Sequence, residues 1–111
     1  MQGEEQIQTR TKVKPLGELL EYQDSSIVSR VLLKNNGGTV TLFAFDQGEG
    51  LSEHTTPFEA LVFVVDGEAE VEIAGEVYRV RSGETITLPA NVPHAVRATA
   101  RFKMLLTMIR A

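Results

Sequence analysis

Along most of this chain apolar and polar positions alternate in short runs, the period-two pattern of strands that bury one face. The pattern predicts strands over Ile27–Leu33, Val40–Phe45, Leu61–Val65, Ala69–Ile73, Val77–Val80, Thr85–Leu88, Ala95–Ala98 and Phe102–Ile109. Between them stand Asn35-Asn36-Gly37-Gly38, Asp66-Gly67, Ala74-Gly75, Ser82-Gly83 and proline-containing turns. Asn and Gly tolerate the positive φ that tight hairpins demand, so the Asn36-Gly37 step marks a hairpin, while Asp46 to Gly50 reads as a loop. Short strands at such regular spacing predict an all-β sandwich or barrel. Upstream, Pro15 at a first helical position with Leu16, Leu19 and Leu20 on one side predicts one short N-terminal helical turn. Residues 1–12 form a polar, aperiodic arm and are assigned no structure.

Two predicted strands, Leu61–Val65 and Phe102–Ile109, are apolar on both faces. One face fills a core, and the other needs a cover. A homodimer supplies that cover; the alternative is the N-terminal segment of the same chain folding over it. By contrast, Glu68, Glu70, Glu72 and Glu76 alternate with apolar partners and read as the solvated face of a hairpin.

Composition narrows the functional classes. The chain has 111 residues, 42% of them hydrophobic and 23% charged, enough to bury one core as a single domain and too apolar to stay disordered. A formal net charge of -4 with scattered Lys and Arg provides no basic footprint for nucleic acid. With no cysteine there is no disulfide, thiolate nucleophile or Cys-type zinc site. An acidic start and the absence of an apolar run of spanning length predict a cytoplasmic protein without a membrane partner. The serines show no nucleophile elbow, and no nucleotide-binding loop is present.

The two histidines, His54 and His94, therefore stand out. Each follows turn residues at the start of a strand, where functional groups are commonly presented. The frame Gly48, His54, Thr56, Ala60, Gly67 resembles the first motif of the cupin family, with Thr56 and Ala60 where the family carries a second His and a Glu. The frame Gly83, Pro89, Asn91, His94, Ala98 resembles the second motif, with Asn91 in place of Gly and Ala98 in place of Asn. The resemblance covers Val40 to Ile109 and implies a double-stranded β-helix, a jelly-roll barrel whose interior holds a ligand cavity. It also implies that His54 and His94 occupy metal-ligand positions.

Strand alternation places Thr56, Phe58, Ala60, Val62 and Val64 on the side of His54, with Val96 and Ala98 on that of His94. The expected pocket is apolar, with two imidazoles and one hydroxyl, a composition suited to a small molecule. Glu53 and Glu59 have the wrong parity and reach the site only through a bulge. Met104 and Met108 read as core or pocket lining. The cofactor stays open between none and a divalent transition metal (Zn, Ni, Cu, Mn or Fe) held by His54 and His94. Three functions compete: a small-molecule-binding protein, a metal-dependent enzyme of dioxygenase or isomerase type, and a structural assembly dimer.

Overall fold

The computed structural model describes residues 13–110. The polar arm, residues 1–12, lies outside the described residues. A 3₁₀ turn at Leu16–Leu19 follows Pro15, as its leucine spacing predicts. Then come strands β1 (Ile27–Asn35), β2 (Gly38–Phe45), β3 (Gly50–His54), β4 (Glu59–Ile73), β5 (Glu76–Arg81), β6 (Thr85–Leu88), β7 (His94–Arg97) and β8 (Phe102–Ile109). All pairings are antiparallel.

β4 organises the architecture. Its first part, up to Gly67, pairs with β8 and β6 in a sheet that continues through β2 to β1; its second part pairs with β5 and β7 in a facing sheet that ends at β3. The result is a double-stranded β-helix. The sequence pattern divides β4 into two strands at Asp66-Gly67, whereas the chain runs through that point as one bent strand. The β4–β8 register shifts between Val64 and Asp66, and Gly67 has φ 76°. A β-carbon at Gly67 would stand 2.3 Å from the Arg101 carbonyl oxygen. Only glycine permits both that φ and that approach, so the bend is written as a bulge plus a glycine rather than as a turn.

The hairpin at Asn36-Gly37 is present between β1 and β2. Its chemistry differs from the expectation: positive φ falls on Gly38, at 154°, while the Asn35 side chain accepts the Gly37 N–H at 2.7 Å. The turn is therefore held by an Asx contact.

Between the sheets lie Phe45, Ala60, Val62, Val64, Ala69, Val71, Val80, Leu88, Val96, Ala98, Phe102 and Met104, with Met108 partly buried beside them. Phe45 and Phe102, opposite each other in β2 and β8, stack at 4.5 Å and 9°. Such a pair adds about 1 kcal/mol beyond its buried area.

The outward face of the β8 sheet is covered in part by the chain itself. Lys103 is buried to 8% exposure and donates from Nζ to the Gly17 carbonyl at 2.6 Å. Its ammonium also lies 4.8 Å from the Tyr22 ring, and the Tyr22 hydroxyl donates to Asp66 at 2.5 Å. Arg101 ties the same segment to the end of β2, bonding Asp24 at 2.6 Å and Asp46 at 2.7 Å. Further along this face Leu61 and Ile109 remain exposed, at 41% and 58%, as does Leu33 at 68%.

Candidate functional site

The two histidines are direct neighbours across β3 and β7, paired in register at His54 and His94. Their rings sit edge to face, with centroids 4.4 Å apart and planes at 68°. A bulge makes this meeting possible. In the β3–β7 ladder Leu51 faces Val96 and His54 faces His94, so Leu51 to His54 spans one residue more than its partner. Without the extra residue, alternation would turn Glu53 inward and His54 outward. The bulge that could have re-aimed Glu53 thus aims His54. The sequence pattern reads Asp46–Gly50 as a loop and puts His54 at the start of a strand, whereas His54 closes β3 and residues 55–58 form the connection to β4, so alternation from His54 does not carry through to Thr56, Phe58 and Ala60.

Both rings are oriented through the same contact. His54 Nδ1 meets the Ser52 carbonyl at 2.8 Å, and His94 Nδ1 meets the Val92 carbonyl at 3.1 Å. A carbonyl only accepts, so Nδ1 is the protonated nitrogen in each ring and Nε2 of the neutral imidazole keeps its lone pair. Such second-nitrogen bonding is the arrangement that prepares an imidazole to hold a metal or accept from a ligand. His94 is buried to 6% exposure, and His54 is exposed, so the pair opens to solvent on the His54 side.

The other expected pocket residues divide. Ala60, Val62 and Val96 are buried in the core cluster, and Ala98 is buried with them. Thr56 is half-buried in the segment joining β3 to β4; its hydroxyl donates to the Phe58 carbonyl at 3.3 Å, and its carbonyl accepts the Asn91 N–H at 2.7 Å. That last bond ties the segments preceding β4 and β7 together at one end of the barrel. Asn91 takes φ 63° where the resembling motif has Gly, and Asn is a residue that tolerates this region. Phe58 lies half-buried at the same end, with the Arg110 guanidinium 5.6 Å from its ring centre.

The register also separates the glutamates. Glu68, Glu70 and Glu72 share the outward side with Arg81, Arg79 and Val77. Glu76 instead falls in the row Glu76, Ile73, His94, His54, on the imidazole side, and accepts a hydrogen bond from the Tyr78 hydroxyl at 2.9 Å. Sequence parity within one strand assigns faces only up to the Ala74-Gly75 turn; pairing across it is needed for Glu76. A groove of about 450 Å³ lies on the outward side, lined among others by Glu53, Glu70, Glu72, Val77 and Arg97, and a second of about 190 Å³ lies beside Lys34, Thr39, Met108 and Ile109. Neither is lined by an imidazole.

The donor set sets a limit on metal chemistry. Among the described residues no group of three or more His, Cys, Asp or Glu side chains gathers in a metal-holding arrangement. Two imidazoles and a hydroxyl already used locally fall short of the three protein ligands of a catalytic zinc, or of the two His and one carboxylate of non-haem iron. The described residues therefore do not fit a redox-metal centre of that type. No described helix is long and apolar enough to cross a membrane.

Comparison with known proteins bears on the fold and the motif frame. The family model for the Cupin domain matches residues 41–109. The solved structure of a conserved protein of unknown function from Streptococcus pyogenes superposes with a TM-score of 0.87 at 35% identity, covering 91% of this chain and 89% of that one. Polyketide synthase CurC of Streptomyces cyaneus is 30% identical over 73 residues, 65% of this chain and 47% of that protein. A 5-nitrosalicylic acid 1,2-dioxygenase of Bradyrhizobium sp is 42% identical over 52 residues, 47% of this chain and 25% of that protein. The chain thus spans half or less of the curated relatives it matches. With the barrel, the two motif frames and the family match in agreement, this chain belongs to the cupin domain family.

Proposed function

We propose that this chain is a small-molecule-binding cupin whose ligand engages the paired imidazoles of His54 and His94. The observation that carries the reading is the common Nδ1-to-carbonyl bond, which leaves two Nε2 lone pairs on adjacent strands at a solvent-reaching end of an apolar barrel. Two fixed acceptors at the end of a barrel whose core includes Ala60, Val62 and Val96 suit a molecule with an apolar body and one or two donor groups. A dioxygenase among the relatives supports a metal-dependent reaction as the second reading, in which His54 and His94 would be two of the ligands and water or a substrate oxygen would have to complete the shell that the described side chains leave short.

The same experiment addresses both. Metal content and ligand binding are measured on the full chain and on His54→Ala and His94→Ala. The binding reading expects ligand affinity to fall in both variants with no metal dependence. Stoichiometric metal lost in both variants would put the enzyme reading first, and unchanged ligand binding would remove the imidazoles from the site.

The same reading takes the protein to be a cytoplasmic homodimer, joined over the exposed Leu33, Leu61 and Ile109. Light scattering that returns the monomer mass at micromolar concentration would count against the dimer.

A further inference from the structure

The end of the barrel where β4 begins and β8 ends bears on the chemistry of the ligand. Arg110 follows Ile109 at the end of β8, so alternation carries it toward the inward side shared by Met108, Leu106 and Met104. Phe58 precedes Glu59 and by the same rule shares the side of Ala60. The two meet there, the guanidinium 5.6 Å from the ring centre. The Arg110 backbone N–H is bonded to the Gly37 carbonyl at 2.9 Å, which holds this end of the chain against the β1–β2 turn.

Arg110 differs from the arginines that are already engaged. Arg101 is paired with Asp24 and Asp46, and Arg81 lies 3.8 Å from Glu68. Among the described residues, no carboxylate is within ion-pair distance of Arg110. A guanidinium seated on an aromatic face keeps its in-plane N–H donors for a planar acceptor, and carboxylate is the acceptor whose two oxygens match that fork.

Charge also differs between the inward rows of the two sheets. On the β8 side Lys34, opposite Thr39 in the register, lines the neighbouring groove of about 190 Å³ and adds a second cation. On the other side the row that contains His94 and His54 ends in Glu76. An anionic ligand group is attracted to the first side and repelled from the second.

We propose that Arg110, supported on Phe58, is the carboxylate-recognition residue of this end of the barrel, and that the ligand is a monocarboxylic acid with an apolar or aromatic body. The inference rests on the His54 and His94 reading, because it is the ligand of that reading that Arg110 selects. The acid group docks at the rim, the body lies against the apolar interior, and the imidazole Nε2 atoms accept from any donor the body carries.

The test uses benzoate and its neutral isostere benzamide, titrated into the full chain at low salt while the ring-proton NMR signals of His54 and His94 are followed. The wild type is expected to prefer benzoate by about tenfold, as a charge-assisted bidentate pair allows. Arg110→Gln should erase the preference by lowering benzoate affinity more than benzamide affinity, with the backbone amide spectrum unchanged. Arg79→Gln, which removes the same charge from the outward side of β5, should keep the preference. A preference that survives Arg110→Gln, that is lost equally in Arg79→Gln, or that is absent in the wild type overturns the inference alone. Imidazole signals that respond to neither probe overturn it together with the reading on which it rests.

Discussion

Substituting Gly67 by Ala tests whether the bend in β4 is held by a close backbone approach or by backbone freedom alone. Two costs meet at this position. The first is conformational: at φ 76° an L-residue with a β-carbon is disfavoured by roughly 1–2 kcal/mol. The second is steric, since the added carbon would stand 2.3 Å from the Arg101 carbonyl oxygen and 3.0 Å from the Phe102 Cα. Those are backbone atoms at the start of β8, so β4 and β8 must separate, at a cost of about 1–3 kcal/mol on the scale of overpacked cores. Gly67→Ala should then lose roughly 2–5 kcal/mol, a large share of a domain stability of about 5–15 kcal/mol.

Gly83 is the internal control, with φ 87° and no atom within 4 Å of the added carbon. Gly83→Ala should lose only the conformational cost, about 1 kcal/mol once the stiffer unfolded chain is counted. Equilibrium urea unfolding of both variants, read as midpoint at unchanged slope, measures the difference. Equal losses would refute the close-approach argument. The site gives a second readout, because β4 beyond the bend carries Ile73, whose register partner is His94; the ring-proton signals of His54 and His94 should shift in Gly67→Ala and stay in Gly83→Ala.

Two further outcomes follow from named groups. The Asp46 carboxyl, held first by the Arg101 side-chain hydrogen bond and then by the Ser25 amide, is lowered to a pKa of about 2. Its folded value lies below an unfolded one of about 3.9, so the stability it contributes is present above pH of about 4 and lost as pH falls toward about 2. Thermal midpoints across that window should fall less steeply for Asp46→Asn than for the wild type; parallel profiles would remove this pair from the acid response. Thr56→His with Ala60→Glu restores the missing motif ligands and should raise zinc or nickel affinity by at least about tenfold, with the metal-free variant destabilised because residue 60 is buried. Calorimetry showing no gain in affinity would place residues 56 and 60 away from the imidazoles.

Much of the barrel was legible in the sequence because strands with one buried face must alternate. The runs at Ile27, Val40, Val77, Thr85 and Phe102 all became strands close to their expected bounds. What the pattern missed are irregularities. Residues 50–54 form β3 although their composition is that of a loop, since pairing with β7 supplies the hydrogen bonds that propensity does not favour. Asp66-Gly67 looks like a turn, yet the chain continues through it as one bent strand into the second sheet.

The site divides along the same line. The sequence by itself determined that, without cysteine, His, carboxylates and hydroxyls must carry any chemistry, and its two motif spacings singled out His54 and His94. Tertiary structure alone decided that their rings meet at 4.4 Å, through an unpaired residue in β3 that no parity count within one strand predicts. It also decided that Glu76 sits in the imidazole row and that Arg110 reaches Phe58. The physical reason is that alternation is a local property of one strand. Which rows align across strands depends on bulges and register, and these are fixed only when the two sheets close on a common core.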